Sequence, residues 1–283
     1  MKKRLMLLFF VFLPKAFFSR IFGRFAQTKL SVMLLMEWFI SNFKINMQEA
    51  EIPEEGFANM DQFFTRRLKQ GVHKIDNSKL SVVSPVDARI DQFGDIVGTR
   101  ILQVKGVDYY LSEILPSALH HKFIDGKFIT LYLSPADYHR IHSPVSGNIF
   151  GMLYVPGKLF PVMELLVNGI RGVFCKNERM ITYIQTKFGK CAVIKVGAMN
   201  VGKISVSYSN IISNKKFFRK KTEILYKDEI QPVINKGDEL GIFHLGSTIV
   251  LLFEQDMVDF EKFNIGQRIR MGQKFANLKV KNN

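Results

Sequence analysis

The chain has 283 residues, of which 47% are hydrophobic and 23% are charged, so its composition excludes a wholly disordered protein. Forty Lys and Arg residues outnumber 25 Asp and Glu residues, and the net charge of +15 predicts an anionic partner, either nucleic acid or an anionic membrane. The only two cysteines, Cys175 and Cys191, form no CxxC pair. This excludes a disulfide scaffold and a zinc ribbon and fits a reducing compartment.

Residues 1–30 are strongly basic, with seven Lys or Arg residues and no acidic residue. Apolar runs at 5–13 and 32–40 and a helical stripe of Phe17, Ile21 and Phe25 alternate with these charges. The run 5–13 is too short to span a membrane, and the Pro-Lys-Ala-Phe-Phe that follows it is a poor signal-peptidase site. We therefore interpret this region as an interfacial membrane-binding segment. A helical hairpin packed on its own domain and a signal peptide are the alternatives.

The rest of the chain divides near residue 79. Residues 41–78 have the pattern of helix and connection, so 1–78 is predicted to be a helical membrane-associating region. After that, short β-rich runs lie between turn signals, and they predict strands at 88–93, 128–133, 148–155, 180–186, 192–196, 203–208 and 248–253. We therefore expect an α+β, mainly β protein whose β-rich domain covers 79–283.

Two glycine-containing phrases at 234–243 and 263–275 place glycines at tight turns between short strands. Such phrases occur in barrel-sandwich domains, and by this analogy we expect a barrel-sandwich-like β domain. A further stretch, 214–221, interleaves five basic residues with two phenylalanines. It is interpreted as a solvated loop or a second membrane-contacting loop, with nucleic-acid binding as a third possibility.

Two histidines, His139 and His142, lie in Tyr138-His-Arg-Ile-His-Ser-Pro-Val-Ser-Gly147. An HxxH pair alone is a weak zinc signal, and the sequence offers no third Cys or His in a familiar spacing, so we predict no metal site. Two histidines within four residues, next to a turn, favour a general base.

The Gly246–Ser247 bond precedes an apolar strand. A serine hydroxyl can attack the carbonyl group before it when glycine lets the backbone bend, provided that a base takes the hydroxyl proton. Asp87 is a candidate carboxylate for such a site. Asp95 and Asp137 are equally plausible on sequence grounds.

Three motifs together resemble the phosphatidylserine decarboxylase family, the pyruvoyl-dependent, membrane-associated bacterial proenzymes. They are Ser84-Pro-Val-Asp87, Tyr138-His-Arg-Ile-His-Ser-Pro-Val-Ser-Gly147 and Leu245-Gly-Ser-Thr248. The resemblance extends from about residue 14 to the C-terminus. Ala88 stands where the family pattern leads us to expect glycine.

The resemblance implies that the chain cuts itself between Gly246 and Ser247 into a β chain, 1–246, and an α chain, 247–283. Asp87, His142 and Ser247 would form the self-processing triad, and Ser247 would become a covalent pyruvoyl group, the only cofactor. The enzyme would then decarboxylate phosphatidylserine through a Schiff base to that group, giving phosphatidylethanolamine and CO₂. His139 would position the substrate or deliver a proton.

The resemblance also gives the basic N-terminal region a purpose. The protein would bind peripherally to the cytoplasmic face of the cell membrane, where an anionic leaflet holds its substrate, and nucleic acid would not be a partner. Two other classes stay open: a non-enzymatic peripheral lipid-binding or carrier protein, and a barrel-fold metallopeptidase.

Overall fold

The computed structural model describes residues 21–103, 107–162, 171–199, 203–214, 220–244 and 247–280. The interpretations of residues 1–20, of most of 214–221, and of Leu245 and Gly246 therefore lie outside the described residues. In the N-terminal part, residues 21–25 are helical. They are followed by helix α1 (Lys29–Phe43), a 3₁₀ turn (Met47–Glu49) and helix α2 (Met60–Phe64).

Helix α1 begins and ends at clear capping residues. The Thr28 side chain accepts a hydrogen bond from the Ser31 N–H at its N-terminus, and Lys44 adopts a left-handed conformation at its C-terminus. Residues 50–59 and 65–78 are mostly turns and loops. Within the described residues of the predicted helical region 1–78, helical structure is thus limited to 21–25, α1, the 3₁₀ turn and α2.

The remainder is mainly β, as predicted. Eighteen strands are described: β1 (Ser81–Val83), β2 (Ala88–Asp95), β3 (Arg100–Gln103), β4 (Val107–Tyr110), β5 (Lys127–Tyr132), β6 (Arg140–His142), β7 (Gly147–Val155), β8 (Arg179–Thr186), β9 (Gly189–Val196), β10 (Ile204–Val206), β11 (Ser209–Ile212), β12 (Thr222–Leu225), β13 (Val233–Ile234), β14 (Glu239–Phe243), β15 (Thr248–Phe253), β16 (Val258–Phe260), β17 (Arg268–Ile269) and β18 (Lys274–Leu278). Short helices α3 (Leu111–Ile114) and α4 (Val173–Lys176) and 3₁₀ turns at Ala118–Phe123 and Asp228–Ile230 connect them. All seven predicted strands are present, and their ends differ by a few residues.

The strands form open antiparallel sheets. The main sheet has the order β12-β7-β8-β9-β15-β5-β2-β17, with β13 also paired to β7. A second sheet has the order β11-β10-β14-β6, a third has the order β1-β18-β16, and β3 pairs with β4. Because the main sheet ends at β12 and β17, it does not close on itself. The expected barrel-like closure is therefore corrected to open sheets, while the mainly β character is confirmed.

The core has two parts. The larger cluster joins the sheets, and β15 lies at its centre with all six residues buried. A smaller cluster lies between α1 and α2, and its buried members are Ala26, Val32, Ile45, Phe57, Met60, Phe63 and Phe64. In contrast, α1 exposes four large apolar side chains, Leu30, Met33, Leu34 and Trp38. In the described part of the chain, no helix is long and apolar enough to cross a membrane.

Helix α2 and the residues after it contact the β sheets through polar groups. Asp61 Oδ1 lies 2.7 Å from His244 Nδ1, just after β14. The Arg66 guanidinium donates to the Ala136 carbonyl at 3.2 Å, and Arg140 Nε donates to the Thr65 carbonyl at 2.9 Å. The N-terminal part is thus fixed beside the ends of β6 and β14, where the histidine motif lies.

Candidate active site

Ser247 is the residue before β15, the central strand between β5 and β9. Its side chain is fully buried, and its hydroxyl donates a hydrogen bond to the Val196 carbonyl. Its own carbonyl accepts from the Leu133 N–H at 2.9 Å. All six residues of β15 are buried, so both faces of the strand are covered. Ser247 is therefore a hydroxyl held at the edge of the protein core.

His142 ends β6 and is mostly buried. Its Nδ1 lies 2.7 Å from the Gly237 carbonyl, which can only accept, so Nδ1 carries the hydrogen and Nε2 is the basic nitrogen. Nε2 lies 3.2 Å from the Tyr138 hydroxyl. Burial lowers the pKa of His142 below its usual value, and burial also raises the pKa of Tyr138. Tyr138 therefore stays protonated, and its hydroxyl donates a hydrogen bond to the neutral imidazole of His142.

Asp87 lies just before β2 and is held at one oxygen. Its Oδ1 accepts from His73 Nε2 at 2.6 Å and from the Met271 N–H at 2.8 Å. No hydrogen bond from the described residues reaches its Oδ2. The carboxylate is thus oriented by a histidine and a backbone amide that lie far from it in the sequence.

His139 is fully buried beside the ring of Phe64, with the two ring centroids 5.9 Å apart. Its Nδ1 lies 2.7 Å from the Asp137 carbonyl, whereas its Nε2 is buried and has no hydrogen-bond partner. Burial, with a further contribution from the nearby charge of Arg66, lowers the pKa of His139 to about 4. His139 is therefore a neutral imidazole with an unpartnered basic nitrogen.

The other two candidate carboxylates occupy different surroundings. Asp137 is buried, pairs with Arg268 and accepts from both the backbone and the hydroxyl of Ser134. Asp95 lies at the far end of β2 from Asp87, is 70% exposed and pairs with Lys127. Asp137 adjoins the histidine motif, but both of its oxygens accept hydrogen bonds. Asp87 also lies beside the motif, and its Oδ2 accepts no hydrogen bond from the described residues.

The predicted site residues lie in neighbouring segments, but no hydrogen bond in the described structure joins two of Asp87, His142 and Ser247. Backbone contacts connect their segments. The His142 N–H donates to the Pro85 carbonyl at 2.8 Å, two residues before Asp87, and the Phe243 N–H donates to the His139 carbonyl at 2.9 Å. Gly246 lies outside the described residues.

A cleft of about 370 Å³ opens beside these groups. Its lining has four basic residues, Lys44, Arg66, Arg268 and Arg270, and three acidic residues, Glu49, Asp87 and Asp137. Arg268 pairs with Asp137 and Arg270 with Glu49, which leaves Lys44 and Arg66 to attract an anion. Cations lining a cleft attract an anionic ligand. In the described segments, no group of three or more His, Cys, Asp or Glu side chains could hold a metal ion.

Sequence reasoning missed His73 and the basic lining of the cleft. His73 lies in a loop, and the sequence around it carries no catalytic pattern. Its pairing with Asp87 arises because the loop at 72–76 packs on the loop between β17 and β18, where the Asp76 N–H donates to the Gly272 carbonyl at 2.9 Å. Only the tertiary arrangement of these loops identifies the pair.

Comparisons with known proteins give the chain a family. A family profile described as phosphatidylserine decarboxylase matches residues 60–277. Among curated relatives, a phosphatidylserine decarboxylase proenzyme of Pseudoalteromonas atlantica is 40% identical over 272 residues, covering 94% of this chain and 95% of the relative. One of Brevibacillus brevis is 37% identical and covers 95% of this chain and 96% of the relative. One of Myxococcus xanthus is 40% identical over 255 residues, covering 88% of this chain and 89% of the relative.

Proposed function

The chain belongs to the phosphatidylserine decarboxylase family, and from this premise we propose that it converts phosphatidylserine to phosphatidylethanolamine and CO₂. The electrophile is a pyruvoyl group made from Ser247 when the chain cuts itself between Gly246 and Ser247. The observation that supports this most directly is Ser247 itself, a fully buried hydroxyl at the start of the central strand in a chain whose relatives are named proenzymes.

Ser247 and His139 each have a property that suits such a group. A pyruvoyl group has the same three carbons as the serine from which it derives, so it fits the space that Ser247 occupies. His139 supplies a buried nitrogen that has no partner within the described protein. When present, the pyruvoyl group supplies an electrophilic carbonyl that takes up the electron pair released with CO₂, a role that ordinary side chains cannot fill.

Self-cleavage begins with proton transfer from the Ser247 hydroxyl. The hydroxyl must first turn away from the Val196 carbonyl, and the Tyr138 hydroxyl must release His142 Nε2. His142 Nε2 then takes the serine proton, since Nδ1 donates to the Gly237 carbonyl. The serine oxygen bonds to the Gly246 carbonyl carbon, the amide bond breaks, and the serine nitrogen gains a proton. A base then removes the Cα hydrogen of residue 247 as its Cβ–Oγ bond breaks, so that Gly246 leaves as a carboxylate that keeps the serine oxygen. The enamine that remains takes up one water and loses ammonia, which leaves the carbonyl at Cα of residue 247.

Asp87 remains the proposed third member of the triad. In the usual arrangement, a carboxylate holds the Nδ1 hydrogen of the histidine. Here Gly237 occupies that position, and Asp87 would contact His142 only after one of the two side chains turns. Its free Oδ2 and its location two residues from Pro85, which accepts from the His142 N–H, support the assignment.

His139 is proposed to position the substrate or to return a proton to the carbon that loses CO₂. Its low pKa keeps it neutral near pH 7, so a proton that it returns must be one that it has taken up earlier in the reaction. Lys44 and Arg66 in the cleft beside Tyr138 are suited to contact the acidic groups of the headgroup.

The N-terminal part supports the proposal of peripheral attachment to an anionic leaflet. Leu30, Met33, Leu34 and Trp38 recur at helical spacing on α1 and are exposed. An exposed apolar face next to a basic segment is typical of an interfacial helix. We propose that 1–78 holds the catalytic domain, 79–283, at the cytoplasmic face of the cell membrane.

Release of CO₂ from phosphatidylserine in detergent tests the function. The intact protein is expected to release CO₂, and Ser247→Ala is expected to release none, because no other residue can form the pyruvoyl group. Ser213→Ala is the matched control: Ser213 is also buried and its hydroxyl serves only the backbone, accepting from the Ile204 N–H at 2.8 Å. Activity in Ser247→Ala equal to that of the control would contradict the assignment.

A further inference from the structure

A third histidine belongs to the site. His73 lies 2.6 Å from Asp87 through its Nε2, and its side chain is only 3% exposed. Since a carboxylate oxygen only accepts, Nε2 carries the hydrogen of this contact. The other ring nitrogen, Nδ1, is buried and has no partner within the described protein. Buried polar atoms without partners are rare in folded proteins and call for an explanation.

The contact fixes the orientation of the Asp87 carboxylate. Two donors, His73 Nε2 and the Met271 N–H, converge on the same oxygen, Oδ1. An aspartate held by two donors on one oxygen cannot rotate without losing both hydrogen bonds. No described residue donates a hydrogen bond to Oδ2, and Asp87 lines the same cleft as Tyr138.

The same arrangement connects Asp87 to the base of the proposed self-cleavage. The His73 and Tyr138 rings lie 6.0 Å apart, and the Tyr138 and His142 rings stack at 5.7 Å. The Tyr138 hydroxyl reaches His142 Nε2 at 3.2 Å. His73, Tyr138 and His142 therefore form a row of rings, and Asp87 is held at the end of the row.

We propose that His73 is a positioning residue for self-cleavage: by holding Oδ1 of Asp87, it presents Oδ2 to the histidine site. It acts through Asp87 and does not itself take or give the proton of Ser247. The physical advantage is preorganisation, because a carboxylate already oriented costs no rotational freedom when the reaction begins. This inference rests on the proposed self-cleavage at Ser247.

Self-cleavage of newly made protein tests the proposal. The full chain is made by cell-free translation in a short labelling pulse. The fraction of chains that is cleaved is then followed with time on denaturing gels. His73→Ala should slow cleavage by about 10-fold to 100-fold, by analogy with the loss of a group that orients a metal ligand. His73→Gln should restore most of the rate, because its amide N–H can replace Nε2–H. His120→Ala is the matched control, since His120 is a half-buried histidine that bonds the Ser117 carbonyl.

A double variant separates positioning from a merely structural role. If His73 acts only through Asp87, His73→Ala/Asp87→Ala cleaves no more slowly than Asp87→Ala alone. The proposal would be overturned if the double variant cleaves more slowly than Asp87→Ala, so that the losses of rate add. It would also be overturned if His73→Gln cleaves as slowly as His73→Ala while circular dichroism shows both variants to be folded. Cleavage of His73→Ala at the normal rate would overturn it too. If the unchanged chain does not cleave, or Ser247→Ala still does, it is the proposed function that fails.

Discussion

At the scale of single residues, burial decides how the two motif histidines can act. Both sit where charge is poorly solvated, and both bond a backbone carbonyl through Nδ1. Their pKa values are lowered, so both are neutral bases near pH 7. The neutral state is thus a consequence of their location, and it is the state that a base needs.

Burial of His139 predicts a pH dependence of stability. The pKa of His139 is about 4 in the folded protein, against an ordinary value of 6.5 that applies to the unfolded chain. Between pH 4 and pH 6.5 the unfolded chain therefore binds more protons than the folded protein. The stability that neutral His139 contributes is complete above pH 6.5 and is lost as the pH falls toward and through 4. Between pH 7.5 and 5 this amounts to about 2 kcal/mol.

Urea unfolding of the uncleavable Ser247→Ala chain at both pH values measures this effect. His139→Gln in the same background should lose less stability on acidification, because glutamine does not titrate. The difference between the two chains should approach the full 2 kcal/mol or so that the linkage relation gives. Equal losses in both chains would show that His139 is already protonated or is not buried in solution.

The Asp87 site also shows where sequence reasoning ends. Asp87, His139, His142 and Ser247 could be chosen because short motifs carry them. His73, 14 residues before Asp87, could not, because its contact depends on how two loops pack against each other. The Gly237 carbonyl that fixes the His142 tautomer is equally invisible, since backbone acceptors have no sequence signature.

At the scale of elements, β15 connects the two proposed chains. It pairs along its whole length with β5 on one side and β9 on the other. β17 pairs with β2, and β18 pairs with both β1 and β16. A cut before Ser247 would therefore leave an α chain whose strands are shared between two sheets of the β chain.

We expect the two chains to stay together after the cut. The α chain is far shorter than a length that folds alone, and separation would expose the apolar residues of β15. No disulfide can join the two chains of one copy, because Cys175 and Cys191 both precede residue 247. Gel filtration under native, reducing conditions should give one peak containing both chains, and denaturation should separate them. An α chain that elutes by itself from the native column would contradict this account.

The strands were the best-predicted elements. Long runs such as 148–155 and 248–253 carry enough apolar, β-branched and aromatic residues to identify them. The short strands β1, β6, β13 and β17 carry too few residues for a pattern. Whether the sheet is open or closed could not be predicted either. The glycine-containing turns indicate a type of domain by analogy, but they do not show which strands lie at the edge of a sheet.

At the scale of the whole molecule, the N-terminal part combines an excess of positive charge with exposed apolar side chains. Residues 1–30 carry seven basic residues and no acidic one, and α1 directly follows with exposed apolar side chains. The polar contacts of α2 fix this part beside the histidine site. A membrane bound here would lie close to the cleft.

Substitution of the exposed face of α1 should weaken membrane binding. Met33→Glu/Trp38→Glu is expected to float less with anionic liposomes, because it removes apolar burial and adds negative charge. Self-cleavage should continue, since neither side chain touches the site. Ile230→Glu/Ile265→Glu is the matched control, because both isoleucines are equally exposed but lie on the β-rich part.

Salt separates the two contributions to membrane binding. Rising salt should weaken flotation of the intact protein without abolishing it, because charges are screened within about 10 Å whereas apolar contacts are not. Flotation of the α1 variant equal to that of the control would place the anchor elsewhere, with residues 215–221 as the next candidate.

The mass of the purified, reduced and denatured protein tests the central claim most directly. We predict two species from the unchanged chain: residues 1–246, and residues 247–283 lighter by one ammonia than a chain that begins with serine. Reduction with borohydride should add two hydrogens to the shorter species, as expected for one ketone. A single intact chain, or a shorter chain that begins with unmodified serine, would contradict the proposal that Ser247 becomes the electrophile.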